Sequence, residues 1–314
     1  MKVIFFGTPD FAVPILKDIV TKHEVSLVVT APDRPKGRGK KLRPSPVKEF
    51  ALEKNIPIFQ PENINDKPSL ERLAKENGDV FVVAAYGFIL KPSVLELPKY
   101  HCINVHGSIL PKYRGAAPIE RAIINGDEEI GISIMKMEEG MDTGPVAKIV
   151  TTKVEEKSAS TLRRELSFLG GEGILEVLSG LEQGDVNFIP QEESLATYAP
   201  KITKSEGQIR PKKETTFQVL RKIQGMDTYG GAYILLDGVK YKVFKGKSSL
   251  KNIKPGHIIE EDKRLFLGCK DGSIELMIIQ VPNKGRMDTK SYLLGNTFPT
   301  ELEVEESYVL SNGL

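Results

Sequence analysis

Apolar residues in this chain follow two rhythms. Through the first half, unbroken apolar runs alternate with segments whose apolar positions recur every three or four residues. "KVIFF" (2–6) predicts a buried strand closed by a Gly7-Thr8-Pro9 turn, and "FAVPILKDIVTK" (11–22) a helix with Asp10 as its candidate N-cap. "VSLVVTA" (25–31) predicts a strand, "PVKEFALEKN" (46–55) a helix opened by proline, "PIF" (57–59) a short strand and "SLERLAKEN" (69–77) a helix. "VFVVAAY" (80–86) lacks polar alternation, as a strand covered on both faces does. "CINVH" (102–106) predicts a strand and "APIERAIING" (117–126) a helix ended by glycine. "GISIMKM" (131–137) and "PVAKIVTTKV" (145–154) predict an antiparallel pair of strands, and residues 158–184 a long helix capped by Ser158 or Ser160.

The pattern changes at 191–215, which is polar and rich in lysine. We assign 191–207 as a linker between a catalytic-sized domain, 1–190, and a smaller domain, 208–314. In the latter, 215–225 predicts one helix, followed by β-like runs at "GAYILLDGVKYKVFKG", "HIIE", "RLFLGCKDGSIELMIIQVPN" and "ELEV" with Asp-Gly and Asn-Lys-Gly turns between them. The fold class expected is therefore α/β. A Rossmann-like, doubly wound, mostly parallel sheet is joined to a small C-terminal β-barrel of OB-like type.

Composition narrows this picture. At 314 residues the chain is long enough for two cores, and 40% hydrophobic with 27% charged residues is ordinary for a folded protein in water. No apolar run reaches the roughly 20 residues that span a bilayer. The opening "MKVIFFGTPDF" turns polar too early for a secretory signal. Cys102 and Cys269 read as separate buried thiols, which fits a reducing cytoplasm. The net charge of +2 conceals an asymmetry: residues 201–254 hold 13 Lys/Arg against 4 Asp/Glu. Such a region suits either a polyanionic partner or a solvated basic face.

Candidate chemistry concentrates in "INVHGSILPKYRGAAPI" (103–119). Asn104 and His106 lie two apart on a predicted strand, so their side chains share a face. The end of such a strand is where a doubly wound sheet binds ligands. An amide can donate to a developing oxyanion, and an imidazole moves protons near neutral pH. No serine or cysteine stands in an elbow motif beside them, so direct attack by a substrate's own nucleophile on an acyl carbonyl fits the set. Asp142, in the glycine-bounded loop "EEGMDTGPV" (138–146), is the candidate carboxylate partner. The single glycine of Gly7-Thr8-Pro9-Asp10 disfavours a nucleotide cofactor. No His/Cys cluster has metal-ligand spacing.

"NVHGSILPKYRGAAPIERAI" together with "GISIMKMEEGMDTGPV" resembles the folate-dependent formyltransferases, whose hallmark is Asn-x-His, then Ser-Leu-Leu-Pro-x-x-Arg-Gly, with a downstream Asp-Thr/Ala-Gly. "VIFFGTPDFAVPIL", the basic "APDRPKGRGKKLRPSPVKE" and the C-terminal extension point, within that family, to the branch acting on aminoacylated tRNA. The resemblance implies catalytic roles for Asn104, His106 and Asp142, with 10-formyltetrahydrofolate as donor and methionyl initiator tRNA as acceptor. It also places Tyr86, Gly87, Phe88, Ile89 and Leu90, with Ser108, Ile109, Leu110 and Pro111, against the reduced folate. Arg34, Lys36, Arg38, Lys40, Lys41 and Arg43 form an exposed loop that would contact the tRNA acceptor end, with Lys204, Lys212 and Lys213 continuing the basic track. Departures are mild near the site (Ile109 for leucine) and larger in the second half, which has no tryptophan. Formyl transfer to a small amine, such as a purine precursor or an amino sugar, is one alternative; a non-catalytic nucleic-acid-binding relative is another. A cytoplasmic monomer with no metal and no membrane association is expected.

Overall fold

The structure, a computed structural model, describes residues 1–36 and 41–306, and it resolves into two compact units. The first comprises 1–118, 129–153 and 163–199, and the second 119–128, 154–162 and 200–314.

Chain order through the first half is β1 (Lys2–Gly7), α1 (Ala12–Lys22), β2 (Glu24–Val29), β3 (Arg34–Lys36), β4 (Lys41–Arg43), α2 (Pro46–Glu53), β5 (Ile58–Phe59), α3 (Lys67–Glu76), β6 (Val80–Ala84), α4 (Pro92–Leu95), β7 (Cys102–His106), β8 (Arg114–Gly115), α5 (Pro118–Asn125), β9 (Glu129–Lys136), β10 (Val146–Lys153), α6 (Ala159–Gln183) and β11 (Tyr198–Ala199). Seven strands form one sheet in the order β10-β9-β7-β6-β1-β2-β5. The five from β7 to β5 are parallel, while β9 is antiparallel to both β7 and β10. This is the doubly wound arrangement expected, with the predicted antiparallel pair at one edge. The buried runs of β1 and β6 supply the core: Ile4, Phe6, Phe81 and Val83 pack with Leu27, Val29 and Leu73.

Local chemistry explains several helix starts. Ser45 accepts the Lys48 N–H at 3.0 Å and Asp66 accepts that of Ser69 at 2.9 Å, so α2 and α3 each start at a capped turn followed by proline. Ser158, the better of the two candidate caps, receives the Thr161 N–H; Ser160 instead donates to Asp227. Asp10 does not cap α1: its carboxylate takes only the adjacent Phe11 N–H, and Phe11 holds the cap position.

The second unit continues with α7 (Thr216–Gly225), β12 (Ala232–Leu236), β13 (Val239–Ser249), β14 (Ile258–Glu261), β15 (Arg264–Cys269), β16 (Gly272–Gln280), β17 (Met287–Asp288) and α8 (Thr289–Leu293). Its strands are all antiparallel, in the order β12-β13-β16-β15-β14 with β17 on β16. Two register shifts within the β13–β16 ladder bend this sheet, as bulges do. "ELEV" (301–304) is not a strand: Val304 and Glu305 donate singly to the carbonyls of Gly256 and Leu235, which ties the segment down without a ladder. Among the described residues no helix is long and apolar enough to cross a membrane.

Candidate active site

Strand β1 turns outward to β2 and β5, and the chain then returns to β6 and β7 on its other side. The crevice at the carboxyl ends of β1 and β6 is thus the switch point where doubly wound sheets take ligands. A cavity of about 560 Å³ lies there, lined by Thr8, Pro9, Asp10, Tyr86 and Phe88, with Ala31 and Pro32 beyond β2 and Arg34 and Arg43 of the small ribbon. Thr8 donates from its hydroxyl to the Tyr86 carbonyl at 3.0 Å, pinning the two loops together. Burial pushes the Tyr86 phenol up to about 12, so it stays a neutral wall group.

One strand further along, β7 delivers Asn104 and His106 to the same edge. The imidazole is 6% exposed. Its Nε2 lies 3.1 Å from the Tyr113 carbonyl, an atom that can only accept, so Nε2 carries a hydrogen and Nδ1 is the nitrogen left for chemistry. Nδ1 faces Asp142 Oδ1 at 3.6 Å, and Asn104 Nδ2 approaches the same oxygen at 3.5 Å. Both approaches are long for hydrogen bonds. By contrast Asp142 Oδ2 is firmly held, accepting the Gly115 N–H at 2.8 Å. One carboxylate oxygen is an anchor; the other is shared by the two groups the sequence singled out.

The loop carrying Asp142 is shaped by necessity. Asp142 has φ of 53°, in the left-handed region. At Gly144 a Cβ would lie 1.9 Å from the Lys136 carbonyl, so only glycine lets the loop pass β9. Segment 191–199 holds this loop from outside. Gln191 Nε2 donates to the carbonyls of Asp142 (2.8 Å) and Gly144 (2.7 Å), while Arg114, fully buried, donates to Gln191 Oε1 and in a two-pronged pair to Glu193. The guanidinium holds the Glu193 carboxyl below its usual range. Thr197 accepts the Tyr113 N–H at 2.9 Å, and β11 pairs in parallel with β8. The stretch expected as a linker, 191–207, therefore contributes its first part to the site. Gln191 and Thr197 left no sequence signal beyond their polarity, because their value lies wholly in partners far along the chain.

The structure gathers the other expected residues unevenly. Among 86–90, Tyr86 and Leu90 turn into the core, Phe88 packs on it, and Gly87 and Ile89 are exposed, Ile89 by 79%. Ser108 spends its hydroxyl on the Lys112 carbonyl and Leu110 packs with Met135 and Val146; Ile109 and Pro111 are partly buried. On either side of 37–40 the basic segment pairs with itself: β3 and β4 are antiparallel, Arg34 opposite Arg43 and Lys36 opposite Lys41. Arg38 and Lys40 lie outside the described residues. Lys204 and Lys213 are exposed, and Lys212 pairs with Glu303 at 2.8 Å. Two other cations of 201–254 are turned inward. Arg221 is buried and donates to the Glu155 carbonyl, and Lys222 pairs with Glu214. Among the described residues no group of three or more His, Cys, Asp or Glu could hold a metal ion.

Comparison with known proteins places the chain in a family. Residues 1–178 match the model described as formyl transferase, and residues 201–297 that of the formyl transferase C-terminal domain. A methionyl-tRNA formyltransferase of Methylobacillus flagellatus is 41% identical over 94% of this chain and 97% of its own length. That of Clostridioides difficile is 42% identical over 96% and 99%. Among solved structures, an N-formyltransferase from Helicobacter canadensis, in complex with folinic acid and dTDP-3-aminofucose, superposes with a TM-score of 0.67 at 18% identity, covering 88% of this chain and 98% of that one. HypX from Aquifex aeolicus with tetrahydrofolic acid gives 0.64 at 21% identity, covering 94% of this chain and 47% of that one. At those identities the two structures share the fold.

Proposed function

The chain belongs to the formyl transferase family, and from that premise we infer that it transfers a formyl group from a reduced folate to the amino group of methionyl initiator tRNA. The observation that carries the reading is the convergence of Asn104, His106 and Asp142 at the carboxyl end of β7, in a chain of which 94% and 96% are matched by relatives bearing that name. The donor in this reading is 10-formyltetrahydrofolate, held near 86–90 and 108–111.

The chemistry follows from what each group can give. Attack of a neutral amine on the formyl carbon puts negative charge on its oxygen. Asn104 Nδ2 is a donor with no firm internal partner, so it is available to that oxygen, a contribution of about 3 kcal/mol in comparable sites. His106 holds one proton on Nε2 through the Tyr113 carbonyl, so a proton taken from the amine lodges on Nδ1. Asp142 Oδ1 then faces an imidazolium and stabilises it, and Nδ1 returns the proton to the departing folate nitrogen. The 3.6 Å spacing leaves that oxygen loosely engaged until charge appears. Arg34 and Arg43, exposed beside the switch-point cavity, suit phosphates of the acceptor end.

Incubation with formyl-labelled 10-formyltetrahydrofolate and a panel of amines tests this directly. Label is expected on methionyl initiator tRNA. Transfer to glycinamide ribotide or an amino sugar nucleotide instead would replace the acceptor, and transfer to none would remove the enzyme reading.

A further inference from the structure

We propose that Gln191 is a positioning residue for the transfer, setting the distance between Asp142 and His106 through the backbone of the carboxylate loop. The inference rests on the functional reading above and names a residue outside both motifs that supported it.

The orientation of the Gln191 amide is dictated by its neighbours. Arg114 offers only donors, at 3.2 and 3.0 Å, so the atom facing it is the amide oxygen. The carbonyls of Asp142 and Gly144 offer only acceptors, so the atom facing them, at 2.8 and 2.7 Å, is the nitrogen with its two hydrogens. No flipped amide satisfies both sides. Both N–H groups are thus committed to a loop whose central residue holds a left-handed φ, a conformation that persists where its surroundings impose it. From the inner side the Gly115 N–H clamps Asp142 Oδ2. Asp142 is therefore held between an inner backbone donor and an outer side-chain donor pair. The outer pair can be removed by a side-chain substitution that leaves the carboxylate itself untouched.

Gln191→Glu separates positioning from mere packing. It is isosteric and keeps an acceptor for Arg114, but at neutral pH it donates nothing and sets a carboxylate against two carbonyl oxygens. Gln191→Leu removes the donors without adding charge and reads the same effect if the first variant does not fold. With the full chain, kcat for labelled formyl transfer to methionyl-tRNA is expected to fall about 100-fold, the scale of a displacement of about 1 Å at a reacting group. KM for folate and tRNA should stay within about threefold, since the groups that would bind either substrate are all retained. Amide hydrogen exchange at Gly115, read without any substrate, should accelerate about tenfold as its carboxylate partner loosens. Wild-type kcat in a folded variant, a loss confined to KM, or unchanged Gly115 exchange overturns the proposal. Absence of transfer by the wild type counts instead against the functional reading, and the exchange measurement still decides this one.

Discussion

At the scale of single residues, the site is a division of labour between one strand and one loop. His106 is oriented by a main-chain carbonyl and Asp142 by a main-chain N–H, so the chemistry proposed for them hangs on main-chain atoms. Replacing His106 with alanine should lower kcat by about 100- to 10,000-fold, the range of general acid–base catalysis, with tRNA affinity retained in a filter-binding assay. Asp142→Asn should keep the Gly115 contact through its amide oxygen yet lose the charge that faces the imidazole. Its kcat should fall while its thermal midpoint hardly moves, and a large drop in the midpoint would show the carboxylate to be chiefly a structural group. Asn104 and His106 were legible in the sequence because a strand's period of two fixes which side chains share a face. Gln191 was not, since nothing in "PQEE" announces an amide that bridges an arginine and two carbonyls.

Elements tell the same story of local against distant causes. Strands β1 and β6 were readable because an apolar run covered on both faces has no other place to go. Strands β8 and β11, two residues each, exist only because they meet, and no periodicity can mark a pair that short. The expected β-run at 301–304 failed for the converse reason: alternating "ELEV" fits a strand, but only isolated backbone partners lie beside it. The carboxylate loop offers a direct test at this scale. Gly144→Ala forces a methyl into the Lys136 carbonyl, so β9 and the loop must part. A loss of about 1–3 kcal/mol in denaturant unfolding is expected, with lowered kcat. Wild-type values in both would mean that the loop relaxes freely there.

For the molecule as a whole, charge is distributed in a way that a sum over the sequence hides. The basic stretch 201–254 looked like one track, yet Arg221, Lys222 and Lys212 are committed to internal partners, leaving Lys204 and Lys213 among those open to solvent. Counting cations overstates a surface whenever carboxylates fold against them. In the other unit, exchanging both Arg34 and Arg43 for alanine should weaken tRNA binding and flatten its dependence on salt by about 0.7–0.9 in log–log slope for each phosphate no longer neutralised. An unchanged slope would take the ribbon away from the RNA. Acid response has a named contributor as well. Arg121 draws the Glu206 carboxyl down to about 2, from 4.5. A depressed carboxylate stabilises the fold above the unfolded value, and that share is lost as pH falls from about 4.5 through about 2. Glu206→Gln should therefore be less stable at pH 7, by under about 1 kcal/mol for a pair this open to water, with the gap to wild type closing in strong acid.

The two rims of the seven-stranded sheet carry one more consequence. On one side β5 is two residues long; on the other β10 ends in Thr151, Thr152 and Lys153 and shows alternate residues to water. The β5 rim is too short to template another strand, and on β10 the exposed Ile149 stands between Lys148 and the polar run that ends at Lys153. An enzyme whose inferred work lies at the birth of new chains would keep company with many that have not yet folded, and one stub rim and one lysine-broken rim offer them little to pair with.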